Sequence, residues 1–283
     1  MRLLVTGSRG QLGRALERAA PRRGHEMFGV DLPELDVTDR GAVLAAVHTI
    51  LPEAIVNCAA FTAVDAAESQ PESAMAANGA AVGHLAAAAN EVGATLVQVS
   101  TDYVFDGRSA RPYREDDPPG PLSSYGRSKL AGEREAAAAR SHLIVRTSWL
   151  FGERGANFVE AIRRQLDAGN RTLKVVDDQH GCPTYAADLA DALLRLLEVG
   201  ARGIVHATNE GATTWWAFAC EIVRQLGVPA EVEAIRTAAT DRPARRPQFS
   251  VLDGSRMTEL LGSPLPPWQD ALRRYLAGAR AAG

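Results

Sequence analysis

The chain has 283 residues, 46% hydrophobic and 23% charged, which is ample for a buried core in one large domain or two unequal ones. A formal charge of −3 without any basic stripe argues against a nucleic-acid partner, and no apolar run is long enough to span a bilayer. Cys58, Cys182 and Cys220 are odd in number, widely spaced and without a CxxC, so they read as small hydrophobes in a reducing compartment.

The N-terminus enters a strand at once. This predicts neither a signal nor a transit peptide and places the protein in the cytoplasm. Short runs rich in Val, Ile and Leu predict buried strands over 2–6, 26–30, 54–58, 95–100 and 143–147. Helical stretches are expected between them over 11–20, 39–51, 72–92 and 123–140. The alanine-rich part of the third of these reads as a helix packed closely on the sheet. Parallel neighbours need a crossover, so strands alternating with helices of this length predict a doubly wound parallel sheet of Rossmann type.

After Trp149 the rhythm loosens. A helix is expected over 157–168, a strand over 172–176, a helix over 186–197 and a strand over 203–207. From Gly211 onward, helices separated by proline-rich connections are expected. The division expected is a dinucleotide-binding domain over 1–150, with later segments returning to its sheet. Residues 151–283 would form mainly a smaller α/β substrate lobe.

Gly7, Gly10 and Gly13 follow the first strand and open the first helix. Glycines there allow a tight turn, close backbone approach to a pyrophosphate and close helix–strand packing, while the helix N-terminus offers free N–H groups to phosphate. The acid expected about twenty residues further on is Asp31, at the end of the second strand. Its carboxylate can accept from ribose hydroxyls and would repel a 2′-phosphate, which favours NADH over NADPH. Arg9 is the contrary signal, because a guanidinium could pair with that phosphate. Asp36 and Val37 could flank an adenine, and the small residues Ala59 and Ala60 would let a cofactor pass.

Tyr125 and Lys129 stand at i and i+4 at the start of a predicted helix, on one face. A free phenol has a pKa of about 10. A lysine cation beside it, with an oxidised nicotinamide, should pull that value down and let Tyr125 act as an acid toward a developing alkoxide. Thr101 lies at the C-terminal end of a strand, where open α/β sheets place their ligands, and its hydroxyl could orient the substrate oxygen.

With these residues assembled, the chain resembles the extended short-chain dehydrogenase/reductases and, within them, the dTDP-4-dehydrorhamnose reductase family. The resemblance runs nearly end to end. It rests on the glycine turn with Gln11-Leu12-Gly13, residues 57–68 (NCAAFTAVDAAE), 100–107 (STDYVFDG) and 113–133 (YREDDPPGPLSSYGRSKLAGE). It continues through 146–149 (RTSW), 178–184 (DQHGCPT), 246–253 (RPQFSVLD) and 265–268 (LPPW).

The resemblance implies reduction of the 4-keto group of dTDP-4-dehydro-L-rhamnose to dTDP-L-rhamnose by NADH or NADPH. Thr101, Tyr125 and Lys129 would be catalytic. Gly7, Gly10, Gln11, Leu12, Gly13, Asp31, Asp36, Val37, Ala59, Ala60, Phe61 and Thr62 would line the cofactor together with Tyr125 and Lys129. Thr101, Asp102, Tyr103 and Trp149 would face the nucleotide sugar, with Tyr103 close enough to tune the site; Trp149 reads equally as a core aromatic. Some family members form a dimer bridged by magnesium through helical glutamates. Here Ala15 stands where such a carboxylate would be expected, and none of the six histidines has ligand spacing, so no metal is expected and a homodimer is left open.

Two other readings remain. Sugar-nucleotide dehydratases of similar pattern carry Thr-Asp-Glu where this chain has Thr101-Asp102-Tyr103, so elimination lacks its base. Related non-catalytic subunits bind cofactor and modulate another enzyme. Against that reading stands the intact Thr101–Tyr125–Lys129 set.

Overall fold

The computed structural model describes residues 1–281. Its first half runs β1 (Arg2–Thr6), α1 (Gln11–Arg22), β2 (Glu26–Val30), α2 (Arg40–Ile50), β3 (Ala54–Asn57), α3 (Ala66–Ser69), α4 (Pro71–Met75), α5 (Ala81–Val92), β4 (Thr95–Thr101), α6 (Ser124–Ala136) and β5 (His142–Thr147). The second half continues with β6 (Leu150–Phe151), α7 (Phe158–Asp167), β7 (Thr172–Val176), β8 (His180–Gly181), β9 (Thr184–Tyr185), α8 (Ala186–Glu198) and β10 (Gly203–His206). It ends with β11 (Thr213–Thr214), α9 (Trp215–Leu226), β12 (Glu231–Ile235), α10 (Ser255–Leu261) and α11 (Trp268–Ala281).

Six strands form one parallel sheet in the order β10-β5-β4-β3-β1-β2. Alternate strand residues serve opposite faces, as a period of two requires. Leu3, Val5, Val97 and Leu143 pack against Leu16 of α1 and Leu189 and Leu193 of α8. Leu4, Ile55, Leu96 and Ile144 meet Val43 and Val47 of α2 and Leu85 of α5. Helices on both faces make this a doubly wound Rossmann-type fold. The sheet takes back β10 and α8 from the second half of the chain. A separate core of Phe151, Ile162, Phe218, Ile222 and Leu272 builds the smaller lobe. Among the described residues no helix is long and apolar enough to cross a membrane.

One expectation is refined and one is corrected. The helix expected over 72–92 is present without a break, as α4 and α5 joined through a π bulge at Ala76–Ala80. Small residues there permit close contact with α6 rather than only with the sheet: a Cβ on Gly132 would lie 2.1 Å from the Asn78 carbonyl oxygen. The tail also contains β12, which pairs in parallel with β7. Its sequence, EVEAI, has two acids in five residues and is largely exposed, so no buried-strand pattern announces it.

One polar contact lies deep in this fold. Glu133 of α6 and Arg146 of β5 are 4% and 2% exposed. The guanidinium donates to both carboxylate oxygens at 2.8 and 2.7 Å, and Ser100 of β4 donates to the same carboxylate at 2.6 Å. Removing one partner strands a buried charge, so Glu133→Ala should cost about 3–5 kcal/mol of unfolding free energy. The paired apolar replacement, Glu133→Leu with Arg146→Met, should recover most of it. Urea melts of the three proteins check this; equal midpoints would show that the pair is dispensable.

Candidate active site

At the C-terminal ends of the strands, where β1 and β3 lead their crossovers to opposite sides, opens a cavity of about 850 Å³. Its floor begins at the glycine turn. Gly7 has φ +64°, and a Cβ there would lie 2.6 Å from the Ala59 nitrogen; a Cβ on Gly13 would lie 2.4 Å from the Gly7 oxygen. Glycine is therefore required for β1, β3 and α1 to converge. α2, α6, α7 and α9 are each capped by a side chain, from Asp39, Ser123, Asn157 and Thr214. α1 has no side-chain cap and no acid in its first turn. Its free N–H groups at Gln11, Leu12 and Gly13 border the cavity, a donor set suited to phosphate.

Asp31, Asp36 and Val37 line the same cavity, as do Ala59, Ala60, Phe61 and Thr62. Asp31 accepts from the Arg9 backbone N–H at 2.8 Å. The Arg9 side chain, read from sequence as the contrary signal, donates to the Leu32 carbonyl at 2.7 Å and is ion-paired with Glu34. Glu34 is a residue that sequence reasoning missed. Cys58 also lines the wall; burial pushes its thiol up to about 12, which suits a small apolar side chain.

Tyr125, Lys129 and Thr101 meet across the cavity from the glycine turn. Ser123 caps α6, and Glu68 of α3 accepts from the Ser124 N–H at 2.7 Å and its hydroxyl at 3.0 Å, which holds the first turn of the helix. Lys129 is 4% exposed and donates to the Val99 carbonyl at 2.6 Å. Burial lowers its ammonium to about 8.

The tyrosine departs from expectation. Its phenol is pushed up to about 12, first by desolvation and then by the Asp102 carboxylate, with only the Thr101 hydroxyl pulling the other way. Burial and the Asp102 carboxylate favour the neutral phenol, whereas the expected lowering drew on an oxidised nicotinamide as well as on Lys129.

Asp102, expected against the sugar, is instead 1% exposed and lies outside the cavity wall. It accepts from Thr101 Oγ1 at 3.0 Å and from Ser250 Oγ at 2.5 Å, and burial lifts it to about 6. Tyr103 is also outside the wall, but its ring meets Tyr125 edge to face at 5.6 Å. Trp149 lines the cavity, has φ +48° and stacks on Trp215. It also packs against the core of the smaller lobe, so both of its sequence readings have a physical basis.

Asn78 was missed altogether. Buried in the π turn, it accepts from the Phe61 N–H at 2.8 Å and donates to the Phe61 carbonyl at 3.0 Å and to Ser128 Oγ at 2.9 Å. It thus ties the cavity-lining loop to the helix of Tyr125. The signal for it was a polar side chain set among the small residues of Ala76–Ala80.

The family model described as RmlD substrate binding domain matches residues 1–281. The chain belongs to this family. A dTDP-4-dehydrorhamnose reductase of Streptomyces griseus is 50% identical over 282 residues, covering 96% of this chain and 91% of that protein. The crystal structure of a dTDP-4-dehydrorhamnose reductase from Clostridium acetobutylicum superposes with TM-score 0.95 at 39% identity, over 99% of this chain and all of that one. The Bacillus anthracis reductase, solved in complex with NADP, gives TM-score 0.94 at 35% identity, over 98% of this chain and 99% of that one.

The upward shift has a spectroscopic consequence. The tyrosinate difference titration of wild type against Tyr125→Phe should place Tyr125 above the free-tyrosine value of about 10 in ligand-free protein. Ionisation near neutral pH would show that Lys129 outweighs desolvation.

Proposed function

We propose that this protein reduces the 4-keto group of dTDP-4-dehydro-L-rhamnose to dTDP-L-rhamnose with NADH or NADPH as reductant. The observation that carries the reading is one cavity holding an uncapped helix N-terminus at a glycine turn on one side and Tyr125, Lys129 and Thr101 on the other. The family relationship supports the substrate class.

A bound NAD(P)H supplies the hydride that adds to the carbonyl carbon. The free N–H groups of α1 would hold its pyrophosphate, and Asp31 its adenosine ribose. As the C=O bond becomes an alkoxide, Tyr125 gives its phenolic proton to that oxygen and is left as phenolate. The Lys129 ammonium, four residues along the same face, stabilises that phenolate until solvent returns the proton. Thr101 donates its hydroxyl proton to Asp102, which fixes the orientation of that hydroxyl beside Tyr125. Trp149 offers an aromatic surface for the apolar face of the sugar ring and helps exclude water. In the cytoplasm, where this reading places the protein, the reductant pool would be available.

NADH is the favoured reductant in this reading, because Asp31 repels a 2′-phosphate and Arg9 is occupied by Glu34. The test is incubation with NADH, or separately NADPH, and enzymatically made dTDP-4-keto-6-deoxy-L-mannose, with the product identified by NMR. Consumption of reductant with formation of dTDP-L-rhamnose is expected; a product formed without net consumption would indicate an epimerase or dehydratase.

Tyr125→Phe should lower kcat by about a hundredfold or more while leaving cofactor affinity intact; near-normal turnover would remove Tyr125 from the chemistry. Asp31→Ala should raise kcat/KM for NADPH relative to NADH. A wild type that already prefers NADPH would show that Arg9 leaves Glu34 for the phosphate.

A further inference from the structure

Trp149, on the cavity wall, is covered by a second indole. Its ring lies 3.6 Å from that of Trp215, centroid to centroid, with planes 8° apart. Trp215 is the first residue of α9, in the smaller lobe, and was absent from every sequence-based assignment of the site. The geometry points to Trp215 as a positioning residue that sets sugar affinity by holding the indole of Trp149 in its cavity-lining place.

The arrangement is built from several elements. Trp149 lies two residues past β5, with a left-handed backbone (φ +48°) that a bulky residue rarely adopts. A Cβ on Gly181 would lie 2.4 Å from the Trp149 ring, so only glycine leaves room for the indole edge. Gly181 pairs with Thr213 in the β8–β11 ribbon, and α9 begins directly after β11. One short ladder therefore fixes both the slot for the indole edge and the ring that covers its face.

Thr214 locks the start of α9 by accepting from the Ala217 N–H at 3.1 Å and donating to Asp177 at 2.7 Å. Phe158 braces Trp215 from α7 at 4.6 Å. Trp215 itself is not part of the cavity wall, whereas Trp149 is. Its influence on a sugar must pass through the stacked partner, since stacking restricts the rotamers of both rings.

This inference rests on the nucleotide-sugar reading above. The experiment is steady-state kinetics with dTDP-4-dehydro-L-rhamnose for wild type, Trp215→Ala, Trp149→Ala and the double variant, with thermal melts alongside. Trp215→Ala should raise KM for the sugar about three- to tenfold. Its kcat and its KM for the reductant should stay within about threefold of wild type. The double variant should match Trp149→Ala, because the second ring has nothing left to position.

If Trp215→Ala folds poorly, Trp215→Phe keeps the packing against Phe158 and should give a smaller rise of the same kind. A folded Trp215→Ala or Trp215→Phe with wild-type KM would overturn the inference. So would effects that add in the double variant, or losses that fall equally on sugar and reductant. A wild type inactive on this sugar overturns the functional reading, and this inference with it; an active wild type with an indifferent Trp215 overturns this inference alone.

Discussion

The buried ion pair between Glu133 and Arg146 is the constraint on which the candidate site depends. Tyr125, Lys129 and Glu133 occupy i, i+4 and i+8 of α6, one stripe along a single face. At the lower end of that stripe the carboxylate is bound by Arg146 of β5 and Ser100 of β4. The guanidinium also lies over the Phe105 ring at 5.0 Å. Displacing a charge pair in a low-dielectric core leaves an ion unsatisfied, which is costly. The pair thus ties α6 to β4 and β5, with the phenol and ammonium further along the same helix face.

At the other end of the helix, Glu68 grips Ser124, and Asn78 links Ser128 to the backbone of Phe61. The loop that would border the cofactor and the helix that would deliver the proton are thus one hydrogen-bonded unit. The glycines act at the same interfaces by a different means. Gly132 lets α6 approach the Asn78 carbonyl, and Gly7 and Gly13 let α1 converge with the ends of β1 and β3. Polar clamps set register, and missing side chains set distance.

Electrostatics divide the cavity. On the turn side, an uncapped helix N-terminus leaves positive partial charge unmet. On the Tyr125 side, desolvation raises the phenol to about 12 and lowers the Lys129 ammonium to about 8. A buried phenol that holds its proton is poised to give it only where negative charge develops nearby. Asp102, behind Thr101, reinforces this by raising the phenol further and by fixing the direction of the Thr101 hydroxyl.

Much of this was legible from residue order alone. The apolar runs located the strands of the main sheet, the glycine turn located the start of α1, and Tyr125 and Lys129 declared themselves through helical spacing. All these signals are local: periodicity, turn chemistry and i, i+4 proximity act over a few residues. What only the tertiary structure decided involves partners far apart in the chain. The Glu68–Ser124 contact spans 56 residues, and Asp102 is turned from the cavity by Ser250, 148 residues away. The stacking of Trp215 on Trp149, the pairing of β12 with β7 and the pairing of Arg9 with Glu34 likewise follow from packing. The acidity of Tyr125 belongs to the same class, because a pKa depends on the dielectric and charges assembled around the group, and those exist only once the chain has folded.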